Sequence, residues 1–149
     1  MDSKSDQKKF IYHTETHYDQ LDGQMLLHHP RYIIFVERAQ QLWFEEVLGA
    51  PRFDWRNFPD MYIVVRKIEV EYLKPIDGVQ DIQIVLWPES IRAATLKTCF
   101  EVRNKAGDVL FARGYRLNCK VAQETHEPAI WSDPFMSRME ELIRDNNSE

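Results

Sequence analysis

The chain has 149 residues, 44% of them hydrophobic and 29% charged, with a formal net charge of −5. That length suits one domain with a core of useful size, and the mixture is that of a soluble globular protein. Both signs of charge are scattered with no basic block, which argues against nucleic-acid binding, and no apolar stretch approaches the roughly 18 residues that cross a membrane.

The N-terminus, MDSKSDQKKF, is polar and lacks the apolar core of a signal peptide. Residues 1–9 read as a disordered tail and 10–149 as a single domain. Two cysteines, Cys99 and Cys119, form neither a CxxC pair nor a Cys/His cluster, so no metal site is expected. A reduced, cytoplasmic protein is the plain reading.

F-I-Y-H-T-E-T-H-Y, residues 10–18, carries β-formers in partial alternation and reads as a first strand. Residues 18–30 are turn-like, with Gly23 and then Pro30, which fits the first turn of a helix. From Arg31 to about Leu48, Tyr32, Phe35, Val36, Ala39, Leu42, Trp43 and Val47 recur every three or four residues. Ile33, Ile34 and Phe44 fall off that stripe, so this helix is apolar around much of its circumference and is expected to be buried on several sides. Gly49 and Pro51 end it.

Long strands follow at 61–75, 81–87, 94–103 and 109–121. In the first, Ile68, Val70 and Tyr72 oppose Lys67, Glu69 and Glu71. In the next two the apolar faces are Ile82, Ile84 and Leu86, then Leu96, Thr98, Phe100 and Val102. In the last the apolar set is Val109, Phe111, Tyr115, Leu117, Cys119 and Val121. N-K-A-G-D, 104–108, is a hairpin loop. A short amphipathic run, Phe135 to Ile143, closes the chain, with Asp133 as cap and Pro134 in its first turn. The order is β-α-β-β-β-β plus a short C-terminal helix. An antiparallel meander needs its apolar face covered, and the one long apolar helix is the available cover, which gives an α+β fold. The uncovered sheet edge then predicts a homodimer or homotetramer.

This order, together with the local sequence, resembles the hotdog fold. Tyr18-x-x-x-Asp22, His29 seven residues on, then Tyr32 and Glu37-Arg38-Ala39 in the helix are similar to the 4-hydroxybenzoyl-CoA and Tol-Pal-associated acyl-CoA thioesterase branch. V-R-K-I-E-V-E-Y-L-K-P, 65–75, also looks like that branch's second strand. The resemblance spans roughly residues 10 to 121. It implies hydrolysis of an acyl-CoA thioester without a cofactor or metal. It further implies Asp22 as base or nucleophile, the His29 amide at the helix N-terminus as oxyanion donor, and His29 and Tyr18 as supporting side chains. The physical basis is that free N–H groups at the positive end of a buried helix stabilise the oxyanion of an attacked thioester.

The chain departs from the branch after the aspartate, where Gly23-Gln24-Met25 keeps only one glycine; Leu21 and His28 also differ. Met25, Leu26, Leu27 and Tyr32 are therefore the expected acyl-side lining. Arg92 is chosen over Lys97 and Arg103 to meet the CoA phosphates. The plainer readings are a turn role for Asp22, a structural ion pair for Glu37-Arg38, and strand or tail positions for His13, His17 and His126. Trp43 belongs to the core, and Trp87 and Trp131 to core or interface. Two other functions fit the pattern: a hotdog protein that binds acyl-CoA or acyl-carrier protein without turnover, and a hotdog dehydratase or hydratase.

Overall fold

Residues 9–147 are described by a computed structural model. The tail read as disordered lies outside the described residues except for Lys9, whose ammonium sits 4.2 Å over the centre of the Trp87 ring. Five strands, β1 (Phe10–Glu15), β2 (Ile63–Tyr72), β3 (Asp81–Ile91), β4 (Thr95–Asn104) and β5 (Leu110–Lys120), form one sheet in the order β1-β3-β4-β5-β2. Every neighbouring pair is antiparallel. The long helix α1 (Pro30–Leu48) lies in the hollow of the sheet, and α2 (Asp133–Asn147) packs beside it over β3. This is the expected hotdog arrangement.

Alternation fixes the inner face. Ile82, Ile84 and Leu86 of β3 and Leu96, Thr98, Phe100 and Val102 of β4 are buried, because period-two spacing aims every second side chain at α1. On β2 the inner residues are Ile63 and Val65, then Ile68, Val70 and Tyr72. A bulge between Val65 and Lys67 moves the inner set from odd to even positions.

The last strand differs from its sequence reading. Thr98 stands opposite Arg116 and Leu96 opposite Asn118, so Arg116 and Asn118 face α1 while Tyr115 and Leu117 face outward. Gly114 is required here: a Cβ would lie 1.8 Å from the Glu69 carbonyl oxygen and 2.9 Å from Phe100 Cζ.

Pro30 begins α1, and Gly49, left-handed at φ 67°, ends it. Its buried residues are Tyr32, Phe35, Val36, Ala39, Gln40, Trp43 and Phe44. Phe44, off the sequence stripe, is buried because α2 brings Phe135 to 5.2 Å, whereas Leu42 is left exposed. The cap of α2 is Ser132, not Asp133: its hydroxyl accepts from the Phe135 N–H at 3.3 Å. Ser132 is itself anchored by Asp60, whose carboxylate also meets Lys120 at 2.8 Å in a buried ion pair. Trp131 joins the core, as does Trp43. Among the described residues no helix is long and apolar enough to cross a membrane.

Candidate active site

β1 stops at Glu15, short of the strand end expected at Tyr18, and residues 18–20 form one 3-10 turn. The loop that follows is stitched to the β2–β3 connection. Thr16 Oγ1 donates to the Gly78 carbonyl at 2.8 Å, Leu27 N–H to Ile76, and Gly78 N–H to Met25. Within the loop, Asp22 Oδ1 accepts from the N–H groups of Gln24 (2.8 Å) and Leu26 (3.2 Å), the side-chain-to-backbone pattern by which aspartate organises turns. Met25 follows in the left-handed region at φ 64° and leaves its side chain exposed. Asp22 thus holds the loop with one oxygen.

His29 stands at the N-terminus of α1, one residue before Pro30. Its own N–H has no acceptor among the described residues, as the missing partners of a first helical turn dictate. Its carbonyl accepts from the Tyr72 hydroxyl at 3.2 Å, and its ring meets Tyr72 edge-on at 6.0 Å. Tyr72 also packs edge-on against Tyr32 at 5.0 Å. Burial pushes the Tyr32 phenol upward, opposed by a hydrogen bond with the Ile76 backbone; burial likewise raises Tyr72. Sequence reasoning assigned Tyr72 only to a strand face, since nothing local signals that β2 ends against the helix N-terminus.

The remaining candidates separate. Tyr18 is 75% exposed, on the turn before Asp22. Leu27 and Tyr32 are core residues, while Leu26 is half-buried. Arg92 lies on the β3–β4 turn, at the end of β3 opposite the Asp22 loop. Eleven strand residues separate these ends, about 33 Å at the usual rise. There Arg92 lines an open depression of about 610 Å³ with Arg66 and Lys97, and with Glu89, which pairs with Lys97 at 2.9 Å. Arg103 is committed elsewhere, to Glu101 and the Gly107 carbonyl.

A second hollow, about 290 Å³, lies between α1 and the β2–β5 side of the sheet. Its walls include Glu37, Phe44, Phe53, Met61, Ile63 and Arg116. Arg116 is 4% exposed. Gln40 joins it: the Arg116 Nη1 donates to Gln40 Oε1, and Gln40 Nε2 donates to Asn118 Oδ1 at 2.9 Å. The sequence signal for this network was present in the alternate polar positions 116, 118 and 120, but the apolar residues between them outweighed it. Glu37 and Arg38 form no ion pair with each other within the chain, because adjacent helical residues point apart.

The histidines are dispersed: His17 is 3.9 Å from Glu15, and His126 stacks on Tyr62 with its Nε2 3.1 Å from the hydroxyl. Among the described residues no three His, Cys, Asp or Glu side chains gather as a metal site. On the outer face, desolvation and the hydrogen bond to Glu89 push the Cys99 thiol up to about 12.

An antiparallel sheet wrapped on a helix defines the hotdog class. Within it, the family model of the Thioesterase superfamily matches residues 25–111, more than half of the chain. The chain belongs to that superfamily. The match begins three residues after Asp22. Similar solved structures include a 1,4-dihydroxy-2-naphthoyl-CoA thioesterase from Synechocystis, 13% identical, with TM-score 0.76, covering 90% of this chain and 97% of that one. Another is a DHNA-CoA thioesterase from Staphylococcus aureus, 17% identical, TM-score 0.76, with 94% and 93% covered. A third is a thioesterase from Thermus thermophilus in complex with coenzyme A and Zn, 19% identical, TM-score 0.75, with 90% and 93% covered. At these identities the likeness is one of fold. No curated protein matches the sequence.

Proposed function

We propose that the protein is an acyl-CoA thioesterase in which Asp22 acts as base or nucleophile and the His29 amide holds the oxyanion. The observation that carries this reading is the unsatisfied N–H of His29 at the head of a buried helix, reached directly from the loop that Asp22 organises. A donor without an acceptor at a helix N-terminus suits an oxygen that gains charge as a thioester is attacked. Asp22 spends one oxygen on its own loop, which leaves the other for water or the carbonyl carbon. The His29 ring and Tyr18 flank this loop as supporting groups, and Met25 and Leu26 offer the acyl side an apolar rim.

The working unit is a homodimer joined along β2, with residues 10–149 of each chain as one domain. β2 is a ten-residue edge strand whose Val64, Val65, Ile68 and Tyr72 are exposed, the kind of edge that recruits another strand. Antiparallel pairing about a two-fold axis sets the Tyr72 end of one β2 beside the Ile63 end of the other. The cations Arg66, Arg92 and Lys97 then approach the Asp22 end from the second chain and suit the phosphates of CoA. The cytoplasm suits the two free thiols, Cys99 and Cys119.

Replacement of Asp22 by Asn tests the chemistry, since an amide oxygen can still accept the two loop N–H bonds. Thiol release from a panel of acyl-CoAs should fall by about 10²–10⁴-fold, the range for a positioned base, with an unchanged melting temperature. Parental rates in that variant would refute the assignment.

A further inference from the structure

The backbone N–H groups around the head of α1 are nearly all spent: Leu27 donates to Ile76, His28 to Gln20, Arg31 to His28 and Tyr32 to His29. Pro30 has none to give, so among the described residues the His29 N–H is the donor left free between Leu27 and Tyr32. A lone oxyanion donor is effective only when it is aimed in advance, because preorganised donors act without rearranging during the reaction. The peptides on either side of the His29 Cα set that aim. On one side the His28 carbonyl accepts from the Arg31 N–H at 2.9 Å. On the other the His29 carbonyl accepts from the Tyr32 N–H at 3.2 Å and from the Tyr72 hydroxyl, also at 3.2 Å. Tyr72 is thus the side chain that grips the backbone of this residue.

The phenol is itself held. Its ring meets the core residue Tyr32 edge-on at 5.0 Å and the His29 ring edge-on at 6.0 Å. Burial raises the Tyr72 phenol, which keeps it protonated, and so a donor, through neutral pH. These contacts lie within one chain and on the inner face of β2, so pairing of that strand's backbone edge with a second copy leaves them in place.

We propose that Tyr72 is a positioning residue for thioester hydrolysis, its hydroxyl fixing the His29 backbone so that the His29 N–H points at the thioester oxygen. The proposal rests on the thioesterase reading and adds to it a residue 43 positions from His29 in the chain. In this role Tyr72 acts through His29 rather than on the thioester itself.

Tyr72→Phe tests it, since the change removes the hydroxyl and keeps both edge-on ring contacts. For each acyl-CoA that the full chain turns over, kcat should fall about tenfold at an unchanged KM, less than the roughly 10²–10³-fold of losing an oxyanion donor outright. The loss should be equal for short, long and aromatic acyl groups, because all present the same carbonyl, whereas a wall residue changes KM with acyl size. The His29 backbone amide resonance should shift, and the melting temperature should stay as it was. Parental kcat, a loss confined to KM or to one acyl group, an unmoved His29 amide, or activity lost only in step with melting temperature would overturn the inference. A parent protein that releases no thiol from any acyl-CoA fails the thioesterase reading and this inference with it. A parent that does, with Asp22→Asn slow and Tyr72→Phe as fast as the parent, fails the inference alone.

Discussion

Three side chains on the outer face act as one small electrostatic unit. Lys97 donates to Glu89, and the Cys99 thiol donates to the same carboxylate at 3.3 Å. The Glu89 carboxyl is accordingly held below its usual range, first by Lys97 and then by Cys99. Its folded pKa is depressed, so its contribution to stability is present above the ordinary carboxylate pKa and is lost as pH falls through the lower, folded value. The thiol moves the other way. An acid whose folded pKa is raised from 9.0 to about 12 favours the fold below pH 9, and that advantage drains away as pH climbs toward 12. A thiol raised that far carries about a thousandfold less thiolate near neutrality, and thiolate is the reacting form. Iodoacetamide should therefore label Cys99 far more slowly than it labels free cysteine at about pH 8, by mass spectrometry, unless the protein is unfolded. Labelling of the native protein as fast as free cysteine would contradict this picture.

At the scale of elements, one buried carboxylate ties three segments together. Asp60, in the turn before β2, accepts from Lys120 at the end of β5 and from both the N–H and hydroxyl of Ser132, which caps α2. Asp60→Ala strands a buried ammonium and frees the α2 cap, so unfolding in urea should show a loss of about 3–5 kcal/mol. Adding Lys120→Met should recover much of that loss, because no charge then remains buried; a double variant no better than the single would show that the α2 cap dominates. The elements themselves were readable from sequence: both helices and all five strands follow from spacing, and only their ends moved. Faces were harder. On β4 every inner residue fits alternation, but on β5 Tyr115 and Leu117 face out because Gly114, Arg116 and Asn118 take the inward positions, while Phe111 stays in the core. A buried Arg–Gln–Asn network joins residues 76 and 78 positions apart, and no local window contains it.

For the whole molecule, the question is what covers β2. Val64, Val65 and Ile68 are left exposed, and its unpaired backbone edge is ten residues long. Ile68, mid-strand and 37% exposed, sits where a second copy would meet the first. Ile68→Lys should shift sedimentation from dimer toward monomer and lower thiol release together, since a charge on an edge strand discourages pairing. A dimer of parental stability would place the contact elsewhere. Of the proposed site, sequence could suggest only one part: Tyr18, Asp22 and His29 fall within twelve consecutive residues, so a motif can carry them. The contact of Tyr72 with His29 could not be read that way, because it depends on which strand end lies beside which loop.

The bulge at Arg66 gives β2 a reading frame. Upstream of it the inward letters are Ile63 and Val65; downstream they are Ile68, Val70 and Tyr72, one residue out of phase. Loss of Arg66 alone would straighten the strand and leave Ile63, Val65, Ile68, Val70 and Tyr72 facing the helix, because Val65 and Lys67 already stand opposite neighbouring residues of β5, Asn118 and Leu117. Loss of Lys67 as well would turn Glu69 and Glu71 toward the helix and Tyr72 away from His29. Length variation at this point is therefore constrained by parity rather than by size: the strand has one spare residue, and the edge that offers a partner its hydrogen bonds can give that residue up, but not a second, without rewriting the inside of the protein.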